Sequence, residues 1–311
     1  MEAFLSSVQP LLKVVGSLKL AHRPGQDPTL LMEMSPGGLK MSTESTPKDM
    51  VAHAWLPGTV FQEFHFESPA DLSVCVSLNT TLNCLAMLGD RASVRLTYDP
   101  TGNDAELRVV LMEDDQTRTE CVVSTLLPVA LADIEVRGAA EVDGFILTDA
   151  VPFVSVLGIV GEEDKDGQVQ IHLRPVQGLP AESTEVVTFS HETATGSSLR
   201  FGLPYVGQLF RKYEVGREHV HSYRVPTLLS CAKSLHSAGS LRVQINEQGT
   251  LSLQNIVHFP GCGAEVHIEL LVASLSMGGR GRGIAEDDGA PLAKAPRLEP
   301  IVVGTAGDDW L

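Results

Sequence analysis

One stretch of this chain occurs twice, and that repetition restricts the folds open to it. Residues Leu78 to Gly102 reappear without a gap at Val225 to Gly249, pairing Thr80 with Thr227, Leu82 with Leu229, Cys84 with Cys231, Leu88 with Leu235, Ser93 with Ser240, Arg95 with Arg242 and Gly102 with Gly249. Chance alone would give about one or two identities in such a window, so the match marks an internal repeat. In both copies an apolar rhythm of helical period (Leu78, Leu82, Leu85, Gly89; Val225, Leu229, Ala232, His236) gives way to an alternating run (Val94, Leu96, Tyr98; Leu241, Val243, Ile245) that stops at a Gly turn. A unit of helix, turn and strand was built twice, half a chain apart.

At 311 residues the chain is long enough for two ordinary cores, and the repeat spacing suits domains of roughly 130 to 140 residues. A formal net charge of -16 argues against a protein that wraps nucleic acid with its whole surface, because phosphate contact needs a local excess of Lys and Arg. The 5 cysteines form no CxxC pair, and Cys75, Cys84 and Cys231 sit in apolar periodic segments, which points to reduced thiols rather than a disulfide framework. No apolar run reaches the length of a membrane span, and MEAFLSSVQPLL lacks a basic n-region. The expectation is a soluble intracellular protein without membrane partners.

Along the chain, Val8, Leu11, Leu12, Val15 and Leu18 mark one helix face, with Ser6 and Ser7 as cap candidates and Pro10 in the first turn. Strands are predicted at Leu30 to Met34, Leu39 to Ser42, Val51 to Leu56 and Val60 to Phe66, then at Leu72 to Val76 leading into the first repeat helix. Val94 to Tyr98, Glu106 to Met112 and Arg118 to Thr125 read as a meander. Pro128 makes Leu126 to Val136 a connector. The second half restarts with a strand at Val142 to Thr148, a helix at Ala150 to Val160, strands at Val169 to Leu173, Thr184 to Ser190, Ser197 to Phe201, Phe210 to Val215 and His219 to Arg224, and, after the repeat helix, strands at Leu241 to Asn246, Leu251 to His258 and Glu265 to Val272. The domains are therefore 1–125 and 142–273, joined by 126–141. Residues 274–311, rich in Gly, Ala, Pro and charge, are predicted to be a disordered tail that ends on Trp310 and Leu311.

A search for chemistry finds no P-loop, GxSxG, HExxH or dinucleotide fingerprint. His219 and His221 share a strand face but have no third ligand nearby in sequence. Glu162, Asp164, Asp166 and Gly167 copy half of a calcium loop, yet Leu173 stands where a bidentate Glu is needed. Asp114, Asp115 and Glu120, conceivable as nuclease carboxylates, fit better as a charged hairpin tip. Asn79-Thr80-Thr81 is a formal glycosylation acceptor on a predicted helix. No catalytic residue, metal or cofactor is expected. The interesting basic set is Lys13, Lys19, His22 and Arg23 near the first helix with Arg224, Lys233 and His236 around the last, which matters only if the fold gathers those helices on one surface.

The ordered series FQEF (Phe61 to Phe64), LNTTLNCLAMLG (Leu78 to Gly89), GSSLRF (Gly196 to Phe201) and YRVPTLLSCAKSLHSAGSLRVQINEQGTLSLQNIVHF resembles the eukaryotic sliding clamps. Among them it is most similar to the Rad-one subunits of the heterotrimeric nine-one-one checkpoint ring, over about Glu2 to Val272. That resemblance implies an α+β, two-domain clamp fold, with pseudo-repeated antiparallel sheets outside and four helices lining a pore: Val8 to Lys19, Asn79 to Gly89, Ala150 to Val160 and Pro226 to Ser237. It implies a non-enzymatic nuclear subunit that encircles duplex DNA with two other clamp subunits, is placed by a clamp loader at damage sites and recruits checkpoint and repair clients. The basic set above would face the DNA. Subunit contacts would lie at Arg118, Glu120, Val122 and Ser124 and at Ser197, Leu199 and Phe201, and clients would dock by Leu126, Leu127, Val129, Leu131 and Ile134. The second and third pore helices carry no Lys or Arg in their bodies, which departs from a replication clamp. A homotrimeric replication clamp and a DNA exonuclease are the alternatives.

Overall fold

The computed structural model describes residues 1–20, 25–89, 91–100, 105–113, 117–134, 142–177, 179, 184–193, 196–235, 239–259 and 264–275. His22, Arg23, Asp114, Asp115, His236, the end of the connector and nearly all of the proposed tail lie outside these residues.

The first half runs β1 (Glu2–Leu5), α1 (Gln9–Ser17), β2 (Thr29–Ser35), β3 (Gly38–Glu44), β4 (Met50–Pro57), a 3-10 turn at Gly58–Val60, β5 (Glu63–His65), β6 (Leu72–Ser77), α2 (Leu78–Leu85), β7 (Ser93–Tyr98), β8 (Glu106–Glu113) and β9 (Thr117–Ser124). The second runs β10 (Asp143–Leu147), α3 (Val151–Glu163), β11 (Gln168–Leu173), β12 (Glu185–Glu192), β13 (Ser198–Pro204), β14 (Phe210–Glu214), β15 (His219–Arg224), α4 (Val225–Leu235), β16 (Leu241–Ile245), β17 (Leu251–Phe259) and β18 (Ala264–Val272). Among the described residues, each half holds nine strands and two helices in the same order. The repeat seen in sequence is thus one corner of a larger duplication. Two expectations need correction. The segment Val60 to Phe66 is not one strand, because the 3-10 turn consumes its start and leaves only β5. The N-terminal Glu2–Leu5, too short to show a period, is a strand that sits between β5 and β7 with Ala3 and Leu5 buried.

The pairing repeats as well. Strands β5-β1-β7-β8-β9 form one sheet, matched in the second half by β14-β10-β16-β17-β18, while β4-β3-β2-β6 is matched by β13-β12-β11-β15. Helix packing follows the same plan. Pro10 and Pro152 both fall in a first turn, and the stripe Leu11, Val14, Val15, Leu18 of α1 is met by Phe153, Val156, Leu157, Val160 of α3, all of them buried. Ser77 caps α2 by accepting the Thr80 N–H at 3.0 Å. At Gly161 a Cβ would lie 2.6 Å from the methyl carbons of Leu229, so α3 and α4 approach closely there and a larger residue would make Leu229 shift.

The halves are fused where β18 pairs antiparallel with β4, from Val272 opposite Met50 to His267 opposite Trp55, producing one nine-stranded sheet across the molecule. Side chains reinforce that seam. Thr227 Oγ1 donates to Asp49 Oδ2 at 2.7 Å, Ser234 Oγ donates to the Ser17 carbonyl at 2.7 Å, and Cys231 Sγ lies 3.7 Å from Met50 Sδ. The helices form a row in the order α2, α1, α4, α3.

His53, mostly buried on β4 opposite Glu269 and 2.8 Å from Ser42 Oγ, makes this seam sensitive to acid. Burial first, then the charge of Lys40, pushes its imidazole down to about 4 against the opposing pull of Glu269 and Glu33. An unfolded His titrates near 6.5, so between about pH 6.5 and 4 the unfolded chain holds a proton that the folded one rejects, and stability falls as pH falls through that window. The loss is on the order of 3 kcal/mol at most. His221 and His267 are lowered in the same direction by burial. Denaturant titrations across that range should therefore keep some slope in His53→Gln but lose up to about one proton of it relative to the parent chain; equal slopes would remove His53 from this role.

Candidate assembly edges and nucleic-acid-facing surface

Of the strands that end a sheet, β9 and β13 are the two whose counterparts in the other half, β18 and β4, are paired with each other. In the order of pairing, β9 occupies in the first half the place of β18, and β13 occupies in the second half the place of β4. The seam between β18 and β4 is therefore an internal template for what the two free edges are shaped to bind. Their free main-chain groups can be read from it, because N–H groups alternate sides along an antiparallel strand. Ala273 donates to the Asp49 carbonyl, which turns Glu269 and Leu271 toward β4. Val122 stands at the position of Glu269 and, with Glu120 and Ser124, presents its main chain outward. Arg118 and Glu120 are exposed and paired at 3.5 Å, with Arg108 also 3.5 Å from Glu120. Val122 is 49% exposed.

The opposite edge corrects the sequence-based residues. Tyr205 donates to Thr184 and Thr193 to the Ser197 carbonyl, so Ser197, Leu199 and Phe201 turn their main chain inward to β12. The outward positions are Ser198, Arg200 and Gly202. Pro204, without an N–H, ends that free run.

Sequence reasoning missed the helical part of both edges. Inside the row, α4 is flanked on both sides and nearly all its residues are buried, whereas α2 and α3 end the row. Met87, the repeat counterpart of Ser234, is 62% exposed, and Ile159, the counterpart of Ser17, is 44% exposed. At the internal seam those two positions touch. The signal was present in the repeat itself: Cys84 aligns with Cys231, which the seam buries completely.

On the helix row, Lys13, Lys19 and Lys233 are exposed, and among the described ion pairs none holds them. Arg224 instead leans on the seam, 4.0 Å from Asp49. The exposed faces of α2 and α3 supply no cation, and Glu162 and Glu163 add exposed negative charge at the end of α3. The structure thus brings three lysines of the basic set onto one layer; His22, Arg23 and His236 fall outside the described residues.

The connector divides in two. Leu126, bridged to Cys75 through both main-chain groups, Leu127 (86% exposed) and Val129 present apolar side chains outward. Leu131 and Ile134 turn inward, packing on Val51 and Leu271, while Ala132 donates to Glu44 at 2.8 Å. They anchor the connector on the seam. Beside it lie a cavity of about 160 Å³ with Val129, Leu131 and Pro28 in its wall and an open one of about 490 Å³ with Tyr98, Leu126 and Leu127.

Among the described residues weighed for chemistry, His219 and Asp164 serve structural hydrogen bonds. His219 Nε2 donates to Asp143 Oδ2 at 2.6 Å, deep in the second half, and despite burial the Gly216 N–H, this histidine and Arg217 hold the Asp143 carboxyl below its usual range. Asp164 accepts the Asp166 N–H within its own turn at 3.1 Å. Among the described residues, no three His, Cys, Asp or Glu side chains are gathered to hold a metal.

A family model described as "Repair protein Rad1/Rec1/Rad17" matches residues 1–257. Among solved structures, a chain of the PCNA2-PCNA3 complex from Sulfolobus tokodaii is similar over 89% of this chain and 100% of its own length, with a TM-score of 0.64 at 14% sequence identity. At that identity the likeness is one of fold, the two-domain sliding-clamp fold. No curated protein matches the sequence.

Val122→Pro is expected to leave the isolated chain folded, at a cost of about 1 kcal/mol or less, because the N–H that it removes faces solvent. Any assembly built by adding a strand to β9 should be lost. Thermal melting of the variant alongside size measurement with its assembly partners checks both halves of that expectation.

Proposed function

The chain belongs to the Rad1/Rec1/Rad17 family of repair proteins, and on that premise we propose that it is one of three unlike subunits of a ring that encircles duplex DNA. In this proposal the ring is loaded at damage sites in the nucleus, recruits checkpoint and repair proteins, and carries out no chemistry of its own. The observation that supports it most is the pair of unfilled edges. The molecule already contains one completed seam between two pseudo-equivalent halves, and its β9 and β13 ends are the unpaired counterparts of that seam. Repetition of the same contact between subunits closes a ring once three chains supply six halves.

A closed ring retains DNA by topology, so its inner cations need only make the passage tolerable to phosphate. This suits a helix row with three exposed lysines, offset by Glu162 and Glu163, better than it suits tight binding. The outward Leu126, Leu127 and Val129 beside the connector cavities are suited to short apolar client segments.

Size measurement separates this proposal from a homotrimeric clamp. The chain alone is expected to run as a monomer, and to enter a 1:1:1 ring only with two different clamp subunits; a stable homotrimer at micromolar concentration would overturn the proposal.

Changing Lys13, Lys19 and Lys233 together to Glu reverses charge where phosphate would pass, while touching neither the buried stripes nor the edge strands. Ring assembly should stay normal, and DNA retention by the loaded ring should fall roughly tenfold or more with an altered salt dependence. Normal assembly with normal retention would exclude these lysines from the DNA-facing surface.

A further inference from the structure

Three sulfur atoms meet beneath the first free edge. Cys84, in the last turn of α2, and Met87, just beyond it, stand three residues apart and share a face toward β9. The Cys121 thiol of β9 donates to Met87 Sδ at 3.3 Å, and Cys84, one turn earlier on the same side of α2, faces β9 close enough to Cys121 for the two thiols to influence each other. Burial first, then that contact, pushes the Cys84 thiol up to about 11. Both thiols are only half-buried and Met87 is largely exposed, whereas Cys75 and Cys231 are buried. Among the described cysteines, these are the two that combine mutual contact with access to solvent.

We propose that Cys84 and Cys121 form a redox-modification site: in a chain whose first edge is uncovered, a hydroperoxide converts them to an intramolecular disulfide that ties α2 to the edge strand β9. Cys121, as its thiolate, attacks the O–O bond of hydrogen peroxide and becomes a sulfenic acid, and the oxygen that leaves takes up a proton and departs as water, while the raised Cys84 thiol waits for the second step. The sulfur of the other thiol then displaces the second oxygen as water and forms the S–S bond. Two thiols lose two electrons and two protons, and hydrogen peroxide accepts them to become two waters. Met87 is the competing nucleophile, since its thioether takes one oxygen to give the sulfoxide. Condensation between two thiols on packed elements of one chain is intramolecular and needs no encounter.

Covering the edge should suppress the reaction, and this part rests on the assembly proposed above. The internal seam buries Cys231, the counterpart of Cys84, to 0% exposure, so a partner seated on β9 and α2 would shield the sulfurs in the same way. The cross-link is then a mark that only the unassembled subunit acquires.

The full chain, purified reduced and treated with hydrogen peroxide, should yield a monomer whose digest contains Cys84 and Cys121 peptides joined by a reducible link. That link should be absent from Cys84→Ser and from Cys121→Ser and retained in Met87→Leu. A Cys121 disulfide between two chains, or Met87 sulfoxide with both thiols still free, would overturn the site. In a ring formed with the two other subunits, the link should form roughly tenfold more slowly or less, because oxidation follows exposure; an equal rate inside an intact ring would overturn the shielding. Failure of any ring to form would count against the assembly proposal, and the free-chain digest would decide the thiol site regardless.

Discussion

The pairing of β18 with β4 is the contact on which the rest of this structure depends. Each half carries two sheets whose outer strands would otherwise expose a row of main-chain donors and acceptors, an arrangement that invites uncontrolled association. Fusing one edge from each half satisfies those groups internally and makes a single nine-stranded sheet. The helix row inherits its order from that fusion, because α4 can lie against α1 only when the strands beneath them are joined. Asp49 ties the levels together: it accepts from Thr227 on the helix side and from Ser45 in its own turn, while its carbonyl extends the strand ladder to Ala273.

The same contact explains why the two ends of the molecule remain sticky in a controlled way. Arg118, Glu120 and Arg108 place charge along β9, Arg200 pairs with Glu185 beside β13, and Pro204 cuts the second edge short. Such features discourage indiscriminate strand addition while leaving a short run of free N–H and C=O groups for a matched neighbour. Met87 and Ile159 supply apolar surface at the same ends, so specificity and hydrophobic gain lie side by side. Among the described residues the helix row exposes Lys13, Lys19 and Lys233 on a chain of net charge -16, a sparse set of cations for contact with phosphate.

Much of this was legible in the sequence wherever a period was long enough to register. The stripe of α1, the alternating β7 and β8, and the second copy of the repeat unit all carry strong periodic signals, and the structure places elements there. Short or composite elements were not legible. β1 has four residues, and the region around Val60 folds as a 3-10 turn followed by a three-residue strand, neither of which sustains an alternation. Along β13 the resemblance implied Ser197, Leu199 and Phe201, but which residues turn their main chain away from β12 depends on the register of the ladder, and that leaves Ser198, Arg200 and Gly202 facing outward.

The sequence by itself determined the duplication, the class of each long element, the family and the absence of a recognisable catalytic motif, because all of these are written as local period, spacing or residue type. Tertiary structure decided what joins what. That β4 pairs with β18, that Leu131 and Ile134 bury themselves on that seam while Leu127 stays out, and that Cys84 meets Cys121 and Met87 beside an open edge are contacts between residues distant in the chain. Their partners depend on how two sheets are laid against each other, and no local pattern encodes that.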